Sequence, residues 1–269
     1  AMARRRLAVM AMAAIACAAN AVPLAPWLLT GPAQAEAAEG GVRLLTANVR
    51  YRNHDYGGLM AQIHDEHPDV IGLVEVTEDW VHGLSALTSE YGWTVLRPHE
   101  GPFGIALYSR VPFQELTWSP YIEGGIPTSI AVSLTIGAVP TTVVLAHVLA
   151  PTGPGRAALR NRQLGKIAKR LREDTSAERI LVGDLNSTPW SPYYSDLVSV
   201  AALKNAAHGF GYHATWPATL RLFGIPIDHC LVSGGLRVRS FRTGRDFGSD
   251  HLPLIVDLAP ETAGGSGAQ

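Results

Sequence analysis

Cysteine is nearly missing from this chain: Cys17 and Cys230 are its two copies in 269 residues, too few for a disulfide framework. Cys17 lies in an apolar leader and Cys230 inside an expected strand, so a bridge between them is excluded even in an oxidising compartment. Cys230 is read as a small buried hydrophobe. An excess of charge is missing as well. The formal net charge is −1, the only charged residues before position 36 are Arg4, Arg5 and Arg6, and the rest of the chain holds 19 basic against 23 acidic side chains. That balance of −4 gives duplex nucleic acid no general electrostatic reason to bind. Sequence repeats and an internal linker are absent too, which argues against a solenoid or a string of domains. What the chain has is apolar content, 47% against 17% charged, at a length that suits one large core.

The leader comes first. Behind the three arginines, Leu7 to Ala35 carries no charge, the pattern of an export signal or a membrane anchor. Leu7 to Leu29 is long enough to span ~30 Å of hydrocarbon, and Trp27 suits an interface. Ala33-Gln34-Ala35 offers a small-x-small cleavage pattern, so both a retained anchor and a cleaved signal stay open. Either way the arginines mark the cytoplasmic side and the bulk of the chain is extracytoplasmic. Ala1 ahead of Met2 is the mark of a fragment or a scar, which leaves upstream membrane segments open. Residues 1–35 are thus a targeting segment and 36–41 a linker, followed by a catalytic domain at 42–258 and a disordered tail at 259–269.

Within the domain, short apolar runs alternate with helical patterns. Val42 to Ala47, Asp69 to Val74 and Phe103 to Tyr108 read as strands, and Ile130 to Ile136 with Thr141 to Ala146 as a hairpin around Gly137-Ala138-Val139-Pro140. Further strands are expected at Ile180, Ile225, Leu236 and Leu254. Helices are predicted around Leu59 to Ile63, over Asp79 to Leu87, and over Arg156 to Arg172, where Leu164, Ile167, Ala168 and Leu171 share one face.

Polar residues gather where these runs end. Asn48 and Glu75 close the first two strands, and a carboxylate beside an amide oxygen suits a hard cation. Asp184 and Asn186 stand two apart, so in extended chain they face the same side, one to hold a water and one to donate to an oxyanion. Asp250-His251 adds an acid and an imidazole that Asp228 can orient. His147 can donate to a phosphoryl group. Taken alone, Asn48 is an ordinary turn former and His147 an ordinary strand-end histidine. His229 should point away from Asp228, because strand alternation sends neighbours to opposite faces. It is the combination that argues for chemistry.

The order Thr46-Ala47-Asn48-Val49, Leu73-Val74-Glu75-Val76, Ala146-His147, Gly183-Asp184-Leu185-Asn186, Ile227-Asp228-His229 and Ser249-Asp250-His251 resembles the endonuclease/exonuclease/phosphatase superfamily. The resemblance covers about Val42 to Leu258. It implies a DNase I-like four-layer α/β/β/α sandwich, two packed mixed sheets flanked by helices, and Mg²⁺- or Mn²⁺-assisted hydrolysis of a phosphoester or anhydride. It also implies roles: Glu75, Asn48 and Asp250 at the metal, Asp184 on the attacking water, Asn186 and His147 on the developing charge. His251, oriented by Asp228, contacts phosphate or serves as base. One departure is visible. DNase I-like nucleases pair the histidine matching His147 with an acid on an earlier strand, and Pro102-Phe103-Gly104-Ile105 offers none.

The leader, Asn186-Ser187-Thr188-Pro189-Trp190-Ser191-Pro192 and Thr215-Trp216-Pro217 look like the membrane-anchored bacterial branch, which includes VanJ-type proteins associated with teicoplanin resistance. That likeness implies a monomeric extracytoplasmic phosphatase acting on a phosphorylated small molecule or lipid, such as an undecaprenyl pyrophosphate. Trp190 and Trp216, with Leu220, Leu222 and Phe223, would form an apolar rim. Arg162, with Arg160, would reach a second phosphate. A secreted nuclease is the alternative, kept open by Arg237, Arg239, Arg242 and Arg245. A sphingomyelinase-like phosphodiesterase and a non-catalytic binding module rank lower.

Overall fold

The computed structural model describes residues 5–6, 9–13, 15, 18, 40–118, 129–220 and 223–261. The expected cleavage site, Cys17, Leu222, most of the apolar leader and the tail beyond Glu261 lie outside them. Among the described residues no helix is long and apolar enough to cross a membrane.

Among the described residues twelve strands form two six-stranded sheets. The first contains β1 (Val42–Asn48), β2 (Val70–Val74), β3 (Trp93–Arg97), β4 (Ile105–Ser109), β11 (Leu236–Thr243) and β12 (Leu254–Pro260), in the order β11-β12-β1-β2-β4-β3. The second contains β5 (Phe113–Glu115), β6 (Ser129–Ile136), β7 (Val139–His147), β8 (Glu178–Asp184), β9 (Lys204–Asn205) and β10 (Asp228–Val232), in the order β5-β6-β7-β8-β10-β9. Each sheet has one parallel pair, β1 with β2 and β7 with β8, flanked by antiparallel neighbours. Helix α1 (Tyr56–Glu66) joins the first parallel pair and α3 (Pro154–Glu173) the second, since parallel neighbours need a crossover. Helix α2 (Glu78–Gly83) follows β2, and α4 (Pro192–Ala201) follows β8.

Alternation along the strands explains the layers. In β1, Val42 and Leu44 join the core between the sheets, while Leu45 and Ala47 join a second core under α1 and α2. In β8, Ile180 and Val182 face the central core and Leu181 faces a third, under α3 and α4. Strands buried on both faces read as continuous apolar runs, which is why they were legible. The expected face of α3 is the one buried: Leu164, Ile167, Ala168 and Leu171. The four-layer α/β/β/α sandwich follows.

Local departures have local causes. The helix expected over Asp79 to Leu87 stops at Gly83 and resumes as a 3-10 turn at Ser85–Ser89; glycine is a poor helix interior residue. Ile225 makes a single bridge to Trp216 rather than a strand, and the strand begins at Asp228. β12 runs on through Ala259 and Pro260, paired with Arg237 and Leu236, so those two residues belong to the sheet and not to a disordered tail. Strands β3, β5 and β9 and helix α4 were not anticipated. β5 and β9 are short edge pieces, and α4 begins inside the Ser/Pro segment that reads as loop.

Gly183 is fixed by its surroundings. Its φ is +123°, and a Cβ there would lie 2.2 Å from the Ala146 carbonyl oxygen. Gly183→Ala is expected to destabilise the fold by about 3 kcal/mol or more, read as a lowered urea midpoint; an unchanged midpoint would contradict this placement.

Candidate active site

Strand parity delivers the polar groups to one place. The inner-face series of β7 is Val143, Leu145, then His147; that of β8 is Ile180, Val182, then Asp184; that of β10, read backwards, is Val232, Cys230, then Asp228. Register sets the three in one row, with His147 opposite Asp184 and Asp184 opposite Asp228. On the facing sheet the series Val42, Leu44 ends at Asn48 by the same parity. Glu75 breaks the rule. Val74 faces inward, so alternation would send Glu75 out, but a φ of +65° turns it back.

Asn48 joins the two sheets. Its Nδ2 donates to Glu75 Oε1 at 3.0 Å and to Asp184 Oδ2 at 3.1 Å, while its Oδ1 accepts from the Arg50 amide at 2.9 Å. An amide between two carboxylates presents its hydrogens to them, so Asn48 braces the two acids, while its oxygen, which accepts from the Arg50 amide, keeps a second lone pair.

The Ser249-Asp250-His251 loop closes the row. Ser249 Oγ donates to the Asn48 carbonyl at 2.7 Å, and His251 Nδ1 donates to Asp228 Oδ2 at 2.8 Å, leaving Nε2 3.9 Å from Asp184 Oδ2. The orienting geometry expected for Asp228 and His251 is thus present. His147 Nε2 stands 3.7 Å from Asp184 Oδ2 and 3.9 Å from Glu75 Oε1. Its acid neighbours come from β8 and the end of β2. The Asn186 amide N–H donates to Asp184 Oδ1 at 2.8 Å, and Asn186 Nδ2 donates to the Val148 carbonyl at 2.9 Å, so part of its donor capacity is used in holding the loop.

Burial and the adjacent Asp228 carboxylate push Asp184 up to about 6, against the pull of His251 and His147. Burial alone would lower His251, yet the charge and hydrogen bond of Asp228, followed by Asp184 and Asp250, push it up to about 10. Burial likewise opposes the charge of Asp228, but His251 holds it below the usual carboxylate range. At neutral pH the row therefore carries a cationic imidazole locked to one acid and an ionisable acid beside it.

His229 does face away. Its Nε2–H donates to the Ser187 carbonyl at 2.7 Å, and its ring lies 4.7 Å from that of Tyr194. Burial pushes this imidazole down to about 4. With the folded value below the unfolded one, the contribution is whole above about pH 6.5 and is lost as pH falls towards 4. We expect urea unfolding to show an extra loss of about 2–3 kcal/mol between pH 7 and pH 4.5 in the wild type relative to His229→Gln. Equal losses in the two proteins would contradict a buried neutral ring.

The row opens into a cleft of about 550 Å³. Glu75, His147, Asp184, Asn186, Asp250 and His251 line it, as do Phe103, Leu149, Trp216, Ile225, Arg156 and Arg160. Trp190 and Arg162 are both exposed, and neither lines it. Two positions on a helix lie about 200° apart, so Arg160 and Arg162 cannot share a face, whereas Arg156 and Arg160 do. Thr215 was missed: its buried Oγ1 accepts from the Ile227 and Asp228 amides, each at 3.2 Å. Its place beside Trp216-Pro217 was visible, but not its reach back to the start of β10.

Two groups of side chains come close enough to hold a cation, the first of them only where His251 is unprotonated. Asp184, Asp228 and His251 offer ligand atoms within 4.8 Å of one another. Glu75 and Asp250 present carboxylates to the cleft, with Asp250 the more open to solvent. Oxygen-rich groups of this kind match a hard divalent ion.

Residues 45–251 match the endonuclease/exonuclease/phosphatase family. The chain belongs to that family, whose members hydrolyse phosphorylated substrates. The structure is similar to humanized D. rerio TDP2 carrying 14 mutations, at 15% identity and a TM-score of 0.66, covering 82% of this chain and 99% of that one. It is similar to the human nocturnin catalytic domain with bound sulfate, at 20% identity and a TM-score of 0.66, covering 83% and 96%. It also resembles beta toxin from Staphylococcus aureus, at 14% identity and a TM-score of 0.60, covering 80% and 99%. These likenesses establish the DNase I-like fold. Among curated proteins no sequence matches significantly.

Proposed function

We propose that this chain is an extracytoplasmic, divalent-metal-dependent phosphohydrolase that removes a phosphate from a lipid-linked diphosphate such as an undecaprenyl pyrophosphate. The observation that carries the reading is the junction of both sheets at Asp184: a buried acid braced by Asn48, flanked by His147 and His251, and open to the cleft. Its raised pKa suits a base at neutral pH. Asp184 orients and deprotonates a water, which attacks phosphorus. His251, kept protonated by Asp228, and His147 donate to the phosphoryl oxygens as charge develops. Asn186, whose Nδ2 also holds the Val148 carbonyl, adds a polar side chain to that wall. A Mg²⁺ or Mn²⁺ ion held by Glu75 and Asp250 would neutralise phosphate oxygens and the leaving group.

The lipid reading is supported by the apolar side of the cleft and the loop next to it. Phe103, Leu149, Trp216 and Ile225 line the cleft. On the same loop as Trp216, Leu220 is 56% and Phe223 82% exposed. A patch of this kind beside a phosphate site fits a hydrocarbon chain at a membrane face. The arginine-led leader would deliver it there, as anchor or as cleaved signal.

The test is phosphate or ester release in Mg²⁺ from a polyprenyl diphosphate, a soluble phosphomonoester, a sphingophospholipid and plasmid DNA. Preferential turnover of the diphosphate is expected. Plasmid nicking without lipid turnover would replace this reading by a secreted nuclease.

A further inference from the structure

One end of the cleft is built for an anion beyond the one at Asp184. Where helices elsewhere need a cap, the chain supplies one: Asp55 accepts from Gly58 N at α1, and Thr77 from Trp80 N at α2. The two helices that border the cleft lack this. α3 starts from Gly153, α4 starts from Ser191 with no side-chain cap bond, and neither has an acid in its first turn. Helix N-termini without caps leave N–H groups and a partial positive charge facing outward.

Two guanidinium groups stand on the same side. Arg156 and Arg160 are one turn apart on α3, and both line the cleft. Arg160 Nη1 donates to the Asn186 carbonyl at 2.6 Å and Nε to Asn161 Oδ1 at 2.7 Å, both neutral partners. Arg156 is exposed, and among the described residues it has no hydrogen-bond or ion-pair partner. Several arginines elsewhere in the fold are paired with acids: Arg43 with Asp257, Arg110 with Glu90, Arg245 with Asp65.

A separate observation points to a ligand. Ser187 lines the cleft and is 2% exposed, yet its buried hydroxyl has no hydrogen-bond partner. A buried hydroxyl calls for a partner, a water or a ligand, and of the unpaired buried hydroxyls among the described residues Ser187 is the one that lines this cleft. Ser187 follows Asn186, the residue to which Arg160 is tied.

We infer that Arg156, Arg160 and Ser187, with the uncapped starts of α3 and α4, form a subsite for the second phosphate of a diphosphate ester, the one not attacked by water. The inference rests on the proposed phosphohydrolase site at Asp184. Guanidinium groups hold phosphate through paired, charge-assisted hydrogen bonds, and helix N-termini add to the field. A phosphomonoester leaves this subsite empty, so the second phosphate is what it selects.

The experiment is calorimetric titration of the full chain in Mg²⁺ with methylenediphosphonate, a non-hydrolysable diphosphate, and with methylphosphonate. The wild type is expected to bind the diphosphonate at least about tenfold more tightly. Arg156→Gln should remove most of that preference, and Arg156→Gln combined with Arg160→Gln all of it. Arg156 has no partner among the described residues, so its variant is decisive even if Arg160→Gln disturbs the Asn186 loop. No preference in the wild type, or a full preference in Arg156→Gln, would overturn the subsite. Because binding is read without turnover, a protein that hydrolyses neither lipid nor ester yet shows the arginine-dependent preference would defeat the proposed reaction and leave the subsite standing.

Discussion

Asp184→Ala is expected to lower phosphate release by about 10³-fold or more while leaving the chain folded. The size follows from position. Asp184 is the meeting point of the row, bonded by Asn48 from the opposite sheet and by the Asn186 amide, and within 4 Å of both His147 and His251. Removing it takes away the water-activating carboxylate and the acceptor that aligns its neighbours, and groups that act as a unit are lost together. The fold should not suffer in proportion. Asp184 is buried beside Asp228, where burial and like charge already work against its ionised form, so its loss relieves a cost. Phosphate release and urea unfolding measured on one preparation separate the two effects. A rate within tenfold of wild type would remove Asp184 from the reaction; a collapsed urea midpoint would make its role structural.

Metal removal should be as severe. With Glu75 and Asp250 assigned to a divalent ion, dialysis against EDTA is expected to reduce phosphate release to background, and Mg²⁺ or Mn²⁺ to restore it along a saturation curve. Glu75→Gln should shift that curve to about 10–100-fold higher metal concentration, because it removes a charged oxygen ligand and keeps the shape. The backbone here already bears strain, since Glu75 is a non-glycine residue at a φ of +65°, a conformation costing on the order of 1 kcal/mol or more. Strain held at one acid next to a cleft fits a functional rather than a packing requirement. Undiminished hydrolysis in EDTA would refute the metal assignment, and an unshifted curve in Glu75→Gln would move the ligand role elsewhere.

The site was legible in proportion to how far strand alternation carries. Asp184, His147 and Asp228 each extend an inner-face series of apolar residues, so their convergence can be read from period two and a shared strand end. Their alignment in one row could not, because register depends on partners far apart in sequence: β10 meets β8 across more than forty residues. Glu75 was found as an acid ending a run, but its direction is set by a left-handed φ that no pattern announces. Asn48 shows the opposite limit. Its place at a strand end can be read, but its bonds to Glu75 and Asp184 and from the Arg50 amide cannot. Arg162 does not line the cleft, because helical spacing puts Arg156, one turn from Arg160, on Arg160's side instead. The edge strands β5 and β9 are too short to leave a periodic signal, and α4 hides behind Ser191 and Pro192, which punctuate loops as readily as they start helices.

Water attack on a terminal phosphorus at a metal-dependent site is checked by incubating the protein with a polyprenyl diphosphate and Mg²⁺ in ¹⁸O-enriched water, then weighing the products by mass spectrometry. The predicted result is one ¹⁸O atom in the free phosphate, none in the lipid monophosphate, and no release in EDTA. Unlabelled phosphate, or no release from the lipid under conditions in which the protein cleaves DNA, would contradict it.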